Sequence, residues 1–253
     1  MLKRISKEAI VILLLIFLSI YLTSKIWLQN NIPHFRGNIE GAQLSQFLQD
    51  IPEDGLFAIT SSGGYTSAAL SAAKIIDRKR LSIIIVDECL SACAEIVLAA
   101  AKSIEMKNFP FVGFHQNTLS AEHYTSQNKT ASNFETCNWN YSREMEALYI
   151  NKGLNIEFWK DTMNMLHPRP EFREGDQSCI VPTYNFEHRM WLPNSQELKK
   201  NLGLRFDGLV AADNKNCALK KVSRRWPRGT TVMVGRQSII SRGWIKSHFI
   251  SCP

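Results

Sequence analysis

Residues 81–101 read LSIIIVDECLSACAEIVLAAA, and the change of period within them decides the fold. Leu81 to Val86 is an unbroken run rich in β-branched residues, as a strand covered on both faces should be. From Cys93 to about Lys102 the alanine-rich segment reads as a helix. Upstream, Leu56 to Thr60 (LFAIT) is a short apolar strand that runs into Ser61, Ser62, Gly63 and Gly64, and Ser67 to Ile76 is a helix. Downstream lie a short strand near Ile104 and another from Phe111 to His115. Strand and helix in alternation predict right-handed crossovers and a mainly parallel sheet, an α/β fold.

The flanks carry less pattern. Gln29 to Phe35 reads as a polar linker, and Arg36 to Gln49 as a turn followed by an amphipathic helix. Thr118 to Thr136 reads as an exposed loop, Asn138 to Lys152 and Ile156 to Leu166 as helices, and His167 to Pro182 as irregular chain. Ser195 to Asn201 is a short helix, while Thr230 to Val234 and Ser238 to Ile240 favour strands that the sequence does not place.

Of 253 residues, 45% are hydrophobic and 21% charged, and there is one long apolar run. These values exclude a disordered chain, a collagen-like repeat and a polytopic membrane protein. The formal charge of +7 is uneven, because from Asp213 onward nine Lys and Arg face a single acid. Aromatic residues alternate with that charge (RRWPR, RGWIK), which suits nucleic acid by composition. No nucleic-acid module is recognisable, however, and anionic lipid headgroups or cell-wall polymers are better partners for an exported chain. A solvated basic extension is the simplest reading.

Export is expected from the N-terminus. Lys3, Arg4 and Lys7 precede the apolar run Ala9 to Leu22, and Lys25 follows. The run reads as an uncleaved transmembrane signal anchor over residues 1–30, with a removed signal peptide as the alternative. The charge asymmetry predicts a cytoplasmic N-terminus and a domain in the periplasm or outside the cell, secreted if the segment is cleaved. Six cysteines, Cys89, Cys93, Cys137, Cys179, Cys217 and Cys252, fit an oxidising compartment. Fifteen connectivities are open to them; nearness along the chain favours Cys89 with Cys93, Cys137 with Cys179, and Cys217 with Cys252. Zinc is the competing use, but no CxxC pair and no clustered histidine supports it, so no metal and no cofactor is expected.

Gly63 and Gly64, at a strand end before a helix, let backbone amides approach an oxyanion closely, although a tight turn alone also explains such a pair. Ser91 sits where a strand passes into a helix, a place for a nucleophile and equally for a helix cap. His115 is the one histidine that the topology brings to the same sheet edge, so it is the candidate general base. His34, His123, His167, His188 and His248 read as solvated or structural. Glu95, one turn after Ser91, is expected either as an exposed side chain or, less simply, as a carboxylate aimed at the site. Cys93 as a free thiol nucleophile would face the wrong side of the helix.

ITSSGGYTSAALSAAKII, IVDECLSACAEIVLAAA and FVGFHQN together resemble the Clp protease proteolytic subunit and its relatives in the ClpP/crotonase superfamily. The likeness is strongest to exported members with a two-glycine strand end and a C-x-S-A-C element, and it runs from about Arg36 to Leu204. It implies a ββα spiral over residues 31–205, with residues 206–253 as a basic C-terminal extension. By the resemblance, Ser91 is the nucleophile, His115 the base, and Gly63, Gly64 and Ala92 the oxyanion donors. The implied activity is that of a serine peptidase acting on peptide or protein substrates, and relatives self-assemble, so a homo-oligomer is expected. A register slid by one residue would put Ala92 at the serine position and remove the chemistry. MWLPNSQELKKNLGL resembles the family's closing element, but Arg189 stands where an acid normally completes the triad. The acid is then Glu187, Asp161 or Asp176, or it is absent. Loss of an orienting carboxylate costs on the order of 10⁴ in turnover, so a catalytically silent binding or assembly protein is the alternative.

Overall fold

The computed structural model describes residues 32–115, 140–160, 162, 166 and 188–242. The chain is a mixed α/β protein built on a mainly parallel sheet. Its elements are β1 (His34–Arg36), α1 (Gln43–Gln49), β2 (Leu56–Ser61), α2 (Thr66–Lys79) and β3 (Ser82–Leu90), then α3, a π turn at Cys93–Val97 that continues as Leu98–Ala100. They continue with β4 (Ile104–Met106), β5 (Phe111–Gly113), α4 (Asn140–Asn151), α5 (Ile156–Lys160), β6 (Trp191–Leu192) and α6, a π turn at Glu197–Asn201. Last come β7 (Phe206–Asp207), α7 (Lys215–Arg225), β8 (Thr231–Val234) and β9 (Gln237–Ile240).

The main sheet has the order β1-β2-β3-β4-β7, with β5 also on β3. Every one of these pairings is parallel. His34–Arg36 is a strand rather than the expected end of a linker and start of a turn: three residues are too few to show a period, and the register His34↔Ala58 to Arg36↔Thr60 makes them one.

β3 is the pivot of the sheet and is longer than the apolar run alone suggests. Its first half, Ile83–Ile85, pairs with β4, and its second half, Glu88–Leu90, pairs with β5. Between them the register against β2 shifts, with Thr60 alone facing Val86, Asp87 and Glu88. Such a bulge bends the strand and re-aims its end, here the end that carries Ser91.

One apolar core fills the space between the sheet and the helices α1 to α5, and includes Phe57, Ile59, Ile83, Ile85, Leu98 and Trp159. A second cluster lies under the far half of β3 and β5, where Leu90 and Phe111 meet Leu192, Val222, Trp226 and Val232. That cluster builds the basic C-terminal segment into the fold. β7 pairs with β4, while β8 and β9 form a hairpin beside β6 in a second, three-stranded sheet. Residues 206–242 thus pack on the rest of the chain rather than trailing from it.

The expected anchor over residues 1–30 lies outside the described residues, as do the segments 118–136 and 167–182. Among the described residues no helix is long and apolar enough to cross a membrane.

Candidate functional site

Ser91 follows β3 directly and has φ +55°, a left-handed conformation that costs a non-glycine residue about 1–2 kcal/mol. Three features hold it there. Its N–H donates to Gly113 O at 2.8 Å, its carbonyl accepts the first helical bond of α3 from Glu95 N–H at 2.9 Å, and a disulfide joins Cys89 to Cys93 across the turn. The bridge is the one expected, and both cysteines are fully buried. Cys93 is therefore a disulfide half-cystine rather than a thiol. Cys217 is also disulfide-bonded. Cys137, Cys179 and Cys252 lie outside the described residues.

The glycine pair packs against this turn. A Cβ on Gly63 would stand 2.5 Å from Ser91 Cβ, 2.6 Å from Leu90 O and 3.1 Å from Ser91 Oγ, so only glycine fits. The two glycines differ as donors. Gly63 N–H already donates to Ser61 Oγ at 3.1 Å. Gly64 forms a parallel bridge with Ile39 in which Ile39 N–H bonds Gly63 O and Ile39 O accepts from Tyr65 N–H. In that pattern the N–H and C=O of Gly64 face away from Ile39, toward the β3 side of the sheet. Ala92, the other expected donor, is in the first turn of α3, where amides have no partner four residues back.

His115 lies two residues beyond the end of β5 rather than on it. Phe114, before it, is clamped to Trp191 by two backbone bonds of 2.8 Å, and its ring packs on Trp159 and Trp191 at 5.3 and 5.7 Å. Ser91, Gly63 and the segment carrying His115 thus meet at the C-terminal edge of the sheet, because Ser91 bonds Gly113, two residues before His115. A separate cleft lined by Lys102, Lys199, Arg205 and Phe206 opens at the opposite edge.

Glu95 departs most from its expected place. Its side chain is buried, at 3% exposure, instead of exposed. Oε1 accepts from His115 N–H at 3.4 Å, and its carbonyl accepts from the Tyr149 hydroxyl at 2.8 Å. Burial pushes the carboxyl up to about 8, so it is largely neutral at pH 7, and the His115 amide opposes that shift only in part. Burial, with Glu95 adding to it, also raises the Tyr149 hydroxyl. A sequence signal existed: α3 is apolar on every face, and a carboxylate in such a helix has no wet side to point to.

A polar cluster braces the glycine strand from behind. Ser62 Oγ donates to Glu88 Oε1 at 2.8 Å, and Arg225 donates from Nε to Glu88 Oε2 at 2.9 Å and from Nη2 to Ser62 Oγ at 3.0 Å. Arg225 belongs to the basic segment that the sequence left apart from the site, and 137 residues separate it from Glu88.

Among the other histidines, His34 Nε2 lies 3.1 Å from Thr60 Oγ1, and buried His188 places Nε2 2.6 Å from Ser238 Oγ, both structural uses. His123, His167 and His248 lie outside the described residues, as do the candidate acids Glu187, Asp161 and Asp176. Arg189 has an exposed side chain, and its N–H donates to Thr231 O at 2.8 Å. Searches against protein-family models and against curated proteins returned no match for this chain.

Proposed function

We propose that the chain is a membrane-anchored, exported serine peptidase with the ββα spiral of the ClpP/crotonase superfamily. Ser91 Oγ attacks the scissile carbonyl while the His115 imidazole takes the hydroxyl proton. The oxyanion is met by the amides of Gly64 and Ala92, with Gly63 serving as the space that lets Ser91 close on the loop. Collapse breaks the C–N bond, and the leaving amine takes the proton from the imidazolium. Water, deprotonated by His115, then releases the acyl group. No metal or nucleotide enters these steps. Glu187, Asp161 and Asp176 remain the candidates to orient His115.

The observation that carries the reading is the left-handed Ser91 turn, pinned on both sides by Cys89–Cys93 and pressed on Gly63. Backbone strain at a serine on a strand-to-helix turn, held in place by the structure around it, is a functional pointer. The same disulfide supports an oxidising compartment, and the basic start and apolar run of residues 1–30 support the anchor. A homo-oligomer rests on the resemblance alone.

A fluorophosphonate probe tests the proposal on the full chain. The wild type should be labelled and Ser91→Ala should not; a folded wild type that stays unlabelled overturns the peptidase. That outcome would favour the second reading, a catalytically silent binding or assembly protein attached through its basic segment. One observation favours it: Arg189 occupies the position of the family's acid and turns its side chain to solvent.

A further inference from the structure

Glu95 touches three parts of the site at once. Its N–H bonds the carbonyl of Ser91 at 2.9 Å, its carboxyl receives the amide of His115 at 3.4 Å, and its carbonyl is held by Tyr149 of α4 at 2.8 Å. Burying a carboxyl in an apolar helix is costly unless the group is hydrogen-bonded there, and the His115 amide supplies such a bond. Phe114 is bonded on its other side to Trp191, so in an extended chain the next amide, that of His115, faces away from Trp191. Glu95 Oε1 is the acceptor on that face. The clamp on Phe114 and the acceptor on Glu95 thus hold both edges of the chain that leads into the His115 Cα.

We infer that Glu95 is a positioning residue: its buried carboxyl anchors the His115 backbone to the helix turn that carries Ser91, and so sets the separation of base and nucleophile. This rests on the Ser91–His115 reading of the site. The task needs an acceptor oxygen and no charge. Glutamine keeps that oxygen in the same place, whereas leucine fills the space without it.

Two readouts on the full chain test the role. In the first, the rate of fluorophosphonate labelling at Ser91 should stay within about twofold of wild type in Glu95→Gln and fall roughly 10- to 100-fold in Glu95→Leu, as expected for a small displacement of a reacting group. In the second, amide hydrogen exchange at His115 should be slow in the wild type and Glu95→Gln and fast in Glu95→Leu. A folded Glu95→Leu that labels at the wild-type rate overturns the inference, and so does a Glu95→Gln as slow as Glu95→Leu. If the wild type is not labelled at all, the peptidase reading fails, and exchange at His115 alone decides whether Glu95 anchors it. If Glu95→Leu does not fold, a fast-exchanging His115 amide in the wild type refutes the anchor.

Discussion

A methyl group added at Gly63 meets two separate costs. The first is conformational: φ is +97°, a region that side chains disfavour, at about 1–3 kcal/mol. The second is steric, since the new Cβ would lie 2.5 Å from Ser91 Cβ and 2.6 Å from Leu90 O. Neither neighbour is the free end of a flexible side chain, so the Ser91 turn itself must move, at roughly 1–3 kcal/mol more. Gly229 supplies the control, with φ +88° and nothing within 4 Å of the same methyl. Gly229→Ala should therefore lose the conformational part alone, and Gly63→Ala roughly 2–6 kcal/mol in total. Urea unfolding of the full chain in detergent, followed by the fluorescence of its six tryptophans, measures both. Gly63→Ala should also slow fluorophosphonate labelling, whereas Gly229→Ala should leave it unchanged. If Gly63→Ala is no less stable than Gly229→Ala, Ser91 does not press on the glycine loop, and the assembly of the site argued above is wrong.

Two further outcomes follow from the same turn. Replacing Cys89 and Cys93 together by alanine opens a loop with a separation of four residues, which should cost about 2 kcal/mol and lower Tm by roughly 4–8 °C; an unchanged Tm would show that the bridge does not hold the turn. Glu95 makes stability depend on pH with a definite sign. Its ordinary value is 4.5 and burial takes it to about 8, so between these the folded chain keeps a proton that the unfolded chain has released. Its stabilising contribution is complete below about 4.5 and is lost as pH rises through about 8, by roughly 5 kcal/mol across the window. Urea midpoints from pH 5 to 8.5 should fall more steeply in the wild type than in Glu95→Gln, which has no proton to lose. Parallel profiles would mean that the carboxyl is not buried as described. Tyr149, the titratable group whose hydroxyl donates to the Glu95 carbonyl, is raised above its ordinary range and stays neutral in this window.

The local elements around Ser91 were legible because each is written in a few consecutive residues. The β-branched run of β3, the alanine-rich α2 and α3, and the glycine pair all report short-range physics, and their alternation is enough to imply a parallel sheet. The Cys89–Cys93 bridge was legible for the same reason, since four residues across a turn leave little else for the pair to reach. β1 was not, because a three-residue strand has no period and exists only through its pairing with β2. Nor was the long β3, whose last residues are set by β5 and by a bulge against β2.

What the sequence determined by itself is the set of groups: a serine between two cysteines, two glycines, a histidine and an α/β order that brings them toward one edge. Tertiary structure decided their states. It occupied the Gly63 amide with Ser61, turned the Gly64 amide away from Ile39, buried Glu95 and carried Arg225 across the fold to Glu88 and Ser62. The physical reason is one of range. Periodicity and turn chemistry act over a few residues, whereas desolvation and hydrogen-bond partnership depend on what the folded chain brings alongside, here from as far as 137 residues away.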